Sequence, residues 1–176
     1  MIADIAQLGA PVLRQPAASI IDANDLDTLQ TIEIMHDTLA ASDGVGIAAP
    51  QIHISKRIII IASRPNKRYP NAPLMSPTVM LNPSFQPLSE QKDKDWEGCL
   101  SVPGIRALVP RYRSITIRYT DLSNQIQEKI LEGFVARIFQ HECDHLDGKV
   151  YLDRVENNGD IVAESEFYRL LASSPG

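Results

Sequence analysis

Cysteine is scarce in this sequence: Cys99 and Cys143 are the only 2 in 176 residues. Two cysteines cannot build a disulfide framework, so free thiols or a metal-bound thiolate in a reducing compartment are expected. Long apolar runs are missing as well. The longest, Ile58 to Ala62, falls far short of the roughly 20 residues a membrane-spanning helix needs, so no segment is expected to cross a bilayer. Positive charge is in deficit, with 17 Lys and Arg against 22 Asp and Glu and a net charge of −5. That balance lacks the basic field on which phosphate-backbone binding depends, and specific nucleic-acid binding is not expected. The N-terminal stretch, with Asp4 and Arg14, shows no basic leader followed by an apolar core and a small-residue cleavage site, which points to the cytoplasm. No repeat, low-complexity tract or charge block divides the chain, and 44% hydrophobic content suffices for a core, so residues 1–176 read as one globular domain.

Residues 24–42 place Leu26, Leu29, Ile32, Met35 and Leu39 at helical spacing after Asn24 or Asp25, either of which can cap the first turn. The spacing predicts a helix whose leucine-bearing face is core. Ile58 to Ile61 reads as a buried strand. The proline-bearing stretch from Pro65 to Pro77 reads as an irregular excursion before a short strand at Val79 to Leu81. Ile115, Ile117 and Tyr119 alternate with polar residues, and the turn Asp121 to Asn124 returns the chain through Ile126 and Ile130, the pattern of a β-hairpin. A second helix is predicted from Gly133 to about His145, and a short amphipathic segment around Val162 to Leu171. Strands in the middle with helices at both ends indicate an α+β fold.

The sharpest local signal is His141-Glu142-Cys143-Asp144-His145. Residues four apart on a helix share a face, so both imidazoles can grip one cation, and Phe134 and Ile138 extend the same stripe. Glu142 could then reach a water at the metal. Average composition makes a chance H-E-x-x-H in a chain of this length a rare event, roughly a few in a thousand. Of the 4 histidines, His36 and His53 have no ligand-like neighbours and read as structural or solvated. Catalytic sites of this type take a third protein ligand and leave one position open. A further histidine six residues after His145 would make a metzincin, but Tyr151 stands there. Glu164 is roughly placed for a downstream glutamate ligand, as in an H-E-x-x-H metalloendoprotease. Cys99, flanked by Gly98, is the other candidate, since a thiolate is a strong ligand for Zn²⁺ or Fe²⁺. Cys143 points away from the ligand face and reads as packing.

Gly44-Val45-Gly46-Ile47-Ala48-Ala49-Pro50-Gln51 superficially matches a dinucleotide-binding fingerprint. That motif should follow a strand and open a helix, whereas this one follows a helix and runs into Pro50. It reads better as a backbone-exposing segment on which an extended ligand can pair, with Gln51 as a side-chain donor.

Three blocks stand in order: Gly44 to Gln51, Glu97-Gly98-Cys99-Leu100-Ser101, and Gln140 to His145. Together with Gly9 to Arg14 and Val102 to Arg111 they closely resemble the peptide deformylase family. The resemblance implies mostly antiparallel strands packed around the helix that carries H-E-x-x-H. It also implies one divalent ion, naturally Fe²⁺ with Zn²⁺, Ni²⁺ or Co²⁺ as substitutes, bound by Cys99, His141 and His145. The reaction it implies removes the formyl group from the N-terminal formyl-methionine of nascent peptides, near the ribosome exit region. Glu142 would move the proton, and Gln51 with the Leu100 N–H would stabilise the oxyanion, at roughly 3 kcal/mol per well-aimed donor. By the same likeness Gly46 offers main-chain hydrogen bonds to substrate, Val45 and Ile138 wall the methionine pocket, Arg106 lies near the peptide unless it is a surface charge, and Asp144 pairs with Arg111. Ile47 replaces a common leucine, and Gly104 stands where many members carry glutamate.

Overall fold

The computed structural model describes residues 1–174. Among them three α-helices, α1 (Leu26–Ala40), α2 (Gly133–Leu146) and α3 (Glu164–Ser173), accompany eight strands. The strands are β1 (Gly46–Ala48), β2 (Ile58–Ile61), β3 (Thr78–Pro87), β4 (Lys92–Cys99), β5 (Val102–Tyr112), β6 (Ser114–Thr120), β7 (Ile126–Glu132) and β8 (Ile161–Ala163). They form a five-stranded sheet in the order β1-β2-β3-β6-β7 and a three-stranded sheet in the order β4-β5-β8, every pairing antiparallel. This is the α+β arrangement of antiparallel strands around an H-E-x-x-H helix.

Helix α2 is the axis of the molecule. From Ala136 to Leu146 every residue is buried, because apolar and ligand residues face β1 and β2 while Arg137, Gln140 and Asp144 find ionic or amide partners elsewhere. One apolar cluster joins Ile59, Ile61, Ile115, Ile117, Ala136, Ile138, Phe139 and Leu146 between α2 and the larger sheet. A second packs Ile32, Met35 and Leu39 of α1 on Ile58, Ile60 and Leu81, on the opposite face of β2. The alternation of Ile58 to Ile61 between two cores explains why that strand reads as a continuous apolar run.

Helix α1 corrects the predicted face. Asp25 caps it, accepting from the Thr28 N–H at 3.1 Å, but Leu26 is 69% and Leu29 41% exposed. The buried stripe is completed by threonines. Thr31 and Thr38 return their hydroxyls to the carbonyls of Asp27 and Ile34, each at 2.7 Å, so burial leaves no unsatisfied polar group there. The C-terminal segment also departs from expectation: it divides into β8, added to β5, and then α3.

Candidate metal centre

Strand β4 and helix α2 supply the ligands from opposite walls of one cleft. One ligand atom each from Cys99, His141 and His145 lie within 4.8 Å of one another. The Cys99 Sγ is 3.4 Å from His145 Nε2, and Gln51 Nε2 points at the same sulfur from 3.5 Å. Gln51 is held in that pose because its Oε1 accepts from the Ala48 N–H at 2.9 Å, within the tight turn after β1. Glu164, the rival third ligand, is elsewhere: its carboxylate lies 3.1 Å from Arg106.

A buried ion network fixes His141. Its Nδ1–H donates to Glu97 Oε1 at 2.8 Å, which directs Nε2 into the cleft. Glu97 in turn accepts from Arg111 at 2.9 Å on each oxygen and from Arg137 at 2.7 Å. Asp144 joins this network through Arg111 at 2.6 Å, the ion pair that the resemblance implied, and through Arg154 at 2.8 Å. Burial alone would raise the Glu97 carboxyl, but the Arg111 charge and hydrogen bonds from His141 and Arg111 hold it well below the usual carboxylate range. The Cys99 thiol shows the same contest. Burial pushes it up, while the charge of His145 and hydrogen bonds from both histidines bring it far below an ordinary thiol, toward the thiolate that binds metal.

Glu142 faces the cleft beside these groups. Burial pushes it up to about 7, against the opposing charges of His141 and His145. Its Oε2 is buried without a hydrogen-bond partner among the described residues, as a group waiting for a polar ligand would be. Gly46 leaves room for that carboxylate: a Cβ at this position would lie 2.7 Å from Glu142 Oε1 and 2.9 Å from Ile138 Cγ2. A thiol, two imidazoles and an adjacent carboxylate fit a borderline-soft divalent ion with an open coordination position.

The cleft is lined by Val45, Gly46, Gln51, Cys99, Leu100, Ile138, His141 and Glu142, among others. Arg106 is not among them. It is 1% exposed, so it is no surface charge, and its guanidinium lies behind Gly98 rather than in the cleft. His36 and His53 lie outside the cleft, and Cys143 is buried in the apolar cluster beside Phe139. Two features escaped the sequence reading. Glu97 stands two residues before Cys99, so the strand turns both inward, but the charged run that opens β4 hides that strand in the sequence. Tyr151 stacks on His141, with ring centroids 5.8 Å apart, a contact across unrelated elements that no spacing announces.

Comparisons with known proteins agree with this geometry. The family model described as polypeptide deformylase matches residues 2–160. "Peptide deformylase 2" of Nostoc sp. is 50% identical over 170 residues, covering 97% of this chain and 95% of its own. "Peptide deformylase 1" of Bordetella pertussis is 43% identical over 157 residues, covering 89% of each. Among solved structures, a class I type b peptide deformylase from Acinetobacter baumannii with Met-Ala-Ser bound superposes with a TM-score of 0.85 at 42% identity, over 88% of this chain and 99% of that one.

Proposed function

The chain belongs to the polypeptide deformylase family, and on that premise we propose how its residues divide the reaction. The activity is metal-dependent hydrolysis of a formamide C–N bond, removing the formyl group from the N-terminal formyl-methionine of newly made proteins. Water adds to the formyl carbon, the C–N bond breaks, and formate and a free α-amino terminus are the products. Nothing favours the endoprotease alternative, whose candidate ligand Glu164 is paired with Arg106.

Cys99, His141 and His145 would hold the ion. When bound, it supplies Lewis acidity, making water acidic enough to react near neutral pH and polarising the formyl oxygen. Glu142 takes the proton from the attacking water and passes it to the departing nitrogen. Its burial, and an Oε2 with no other partner, support that role. Gln51 Nε2 and the Leu100 N–H steady the charge on the tetrahedral oxygen. Glu97 keeps His141 in the tautomer that leaves Nε2 free.

The substrate lies extended between two sheet edges. β1 ends one sheet and β4 the other, so main-chain groups near Gly46 and Gly98 offer an extended peptide partners on both sides. Val45 and Ile138 wall the space for the methionine side chain. Arg106 does not line the cleft, and we assign it no direct contact with the peptide. Fe²⁺ is the ion we assign in the cell, with Zn²⁺, Ni²⁺ and Co²⁺ able to occupy the same one-sulfur, two-nitrogen set. We further assign residues 1–176 to one catalytic domain that works in the cytoplasm, near the ribosome exit region where formylated chains emerge.

The single observation that carries this reading is the convergence of Cys99, His141 and His145 within 4.8 Å, beside Glu142. Anaerobically prepared Glu142→Ala protein should keep its ion and lose release of formate from a formyl-Met peptide. A full rate in that variant rejects Glu142 as the proton carrier.

A further inference from the structure

Arg106 and Glu164 take no part in the reaction as assigned, yet the fold brings them to the back of the thiolate strand. Arg106 lies on β5 and is 1% exposed. A Cβ built on Gly98 would stand 2.0 Å from Arg106 Nη1 and 2.5 Å from its Cζ. The guanidinium therefore fills the volume that any side chain at position 98 would take, one residue before Cys99. Close packing there restricts where the end of β4 can lie.

The hold on this buried cation comes from the C-terminal segment. Glu164, the first residue of α3, places Oε2 3.1 Å from Nη2. Nη1 donates to the carbonyl of Ile105 at 3.0 Å, while Nε and Nη2 make no well-directed hydrogen bond among the described residues. The Phe167 ring, on the next turn of α3, has its centroid 5.7 Å from the guanidinium carbon, within cation–π range. β8, which leads into α3, pairs Val162 with Arg106 itself. A buried guanidinium that loses its one carboxylate partner among the described residues is strongly disfavoured where it stands. It would turn toward solvent and empty the space behind Gly98.

We propose that Glu164 is a positioning residue for deformylation: by holding Arg106 against Gly98 it fixes the end of β4, and with it the Cys99 sulfur and the Leu100 amide. This rests on Cys99 being a metal ligand, which Cys99→Ala tests separately through loss of bound ion. The proposal is tested with Glu164→Gln, prepared anaerobically and loaded with Co²⁺. Three readouts are compared with the unaltered enzyme: the sulfur-to-cobalt absorption band, the rate of metal release to a chelator, and kcat and KM for formyl-Met-Ala-Ser. The expected result is a shifted band, release faster by about tenfold and kcat lower by about tenfold, with KM changed by less than about twofold. A raised KM with unchanged kcat and unchanged band would mean that Arg106 meets the peptide directly, and would overturn the proposal. Unchanged values throughout would also overturn it. Arg106→Lys, which keeps the charge but not the planar span, takes the same measurements and should give the same signature. If Glu164→Gln fails to fold, this variant decides the matter by the same criteria.

Discussion

Glu97→Gln perturbs the ion network without changing its shape. Glu97 is 3% exposed, Arg111 4% and Arg137 6%. One carboxylate oxygen accepts from His141 at 2.8 Å and Arg111 at 2.9 Å, the other from Arg111 at 2.9 Å and Arg137 at 2.7 Å. Glutamine fills the same space but carries no charge, and its NH₂ turns donors toward donors. Removing one partner from a buried ionic cluster costs about 3–5 kcal/mol, because the remaining charges stay out of water unpaired. At roughly 2–4 °C per kcal/mol for a domain of this size, the melting temperature should fall by roughly 6–20 °C. Loss of the acceptor also frees the His141 ring to rotate or change tautomer, which weakens metal binding by about 10–100-fold. Scanning calorimetry of the metal-loaded protein reads the first effect and competition with a chelator the second. A melting temperature within about 2 °C of the unaltered protein, with unchanged metal affinity, would refute this reasoning.

Gly46→Ala pushes a methyl group to within 2.7 Å of Glu142 Oε1, and the displaced carboxylate should cost about 10²-fold in kcat with the ion retained; a normal rate at full metal content would contradict this. Stripping the ion with a chelator should lower the melting temperature of the unaltered protein, by the equivalent of about 4 kcal/mol when free metal had stood near a thousand times its Kd. Cys99→Ala should show little of that drop in the same scan. Met35, fully buried, should cost about 2–5 kcal/mol when cut to alanine, whereas Leu26→Ala, at an exposed position, should stay within about 0.5 kcal/mol; urea unfolding compares them.

Elements whose side chains repeat with one period were legible in the sequence. Helix α2 and strand β6 follow their patterns to within a residue or two, because burial on one face writes itself into the spacing, whereas β7 forms where expected although its Ile126 and Ile130 are 58% and 61% exposed. Strand β4 was not legible. Its first half, Lys92 to Asp95, is charged and lies on an exposed sheet edge, so nothing in the spacing marks a strand. Without that strand, Glu97 could not be recognised as sharing an inward face with Cys99. Helix α1 misled in its first turn because leucines there are left uncovered, while threonines with locally satisfied hydroxyls line the core. The metal ligands were legible only in part. His141 and His145 follow from helix geometry, but Cys99 reaches them through a long-range meeting of β4 and α2, which spacing does not encode. The burial of Arg106 was not legible either, since it depends on α3 packing from 58 residues further on (Arg106 to Glu164).

X-ray absorption at the metal edge of the anaerobically prepared enzyme tests most directly whether Cys99, His141 and His145 close on one ion. The expected spectrum contains one sulfur and two imidazole nitrogens from the protein, with the sulfur contribution gone in Cys99→Ala. A coordination shell without sulfur in the unaltered enzyme, while formate is released at full rate, would contradict the assignment.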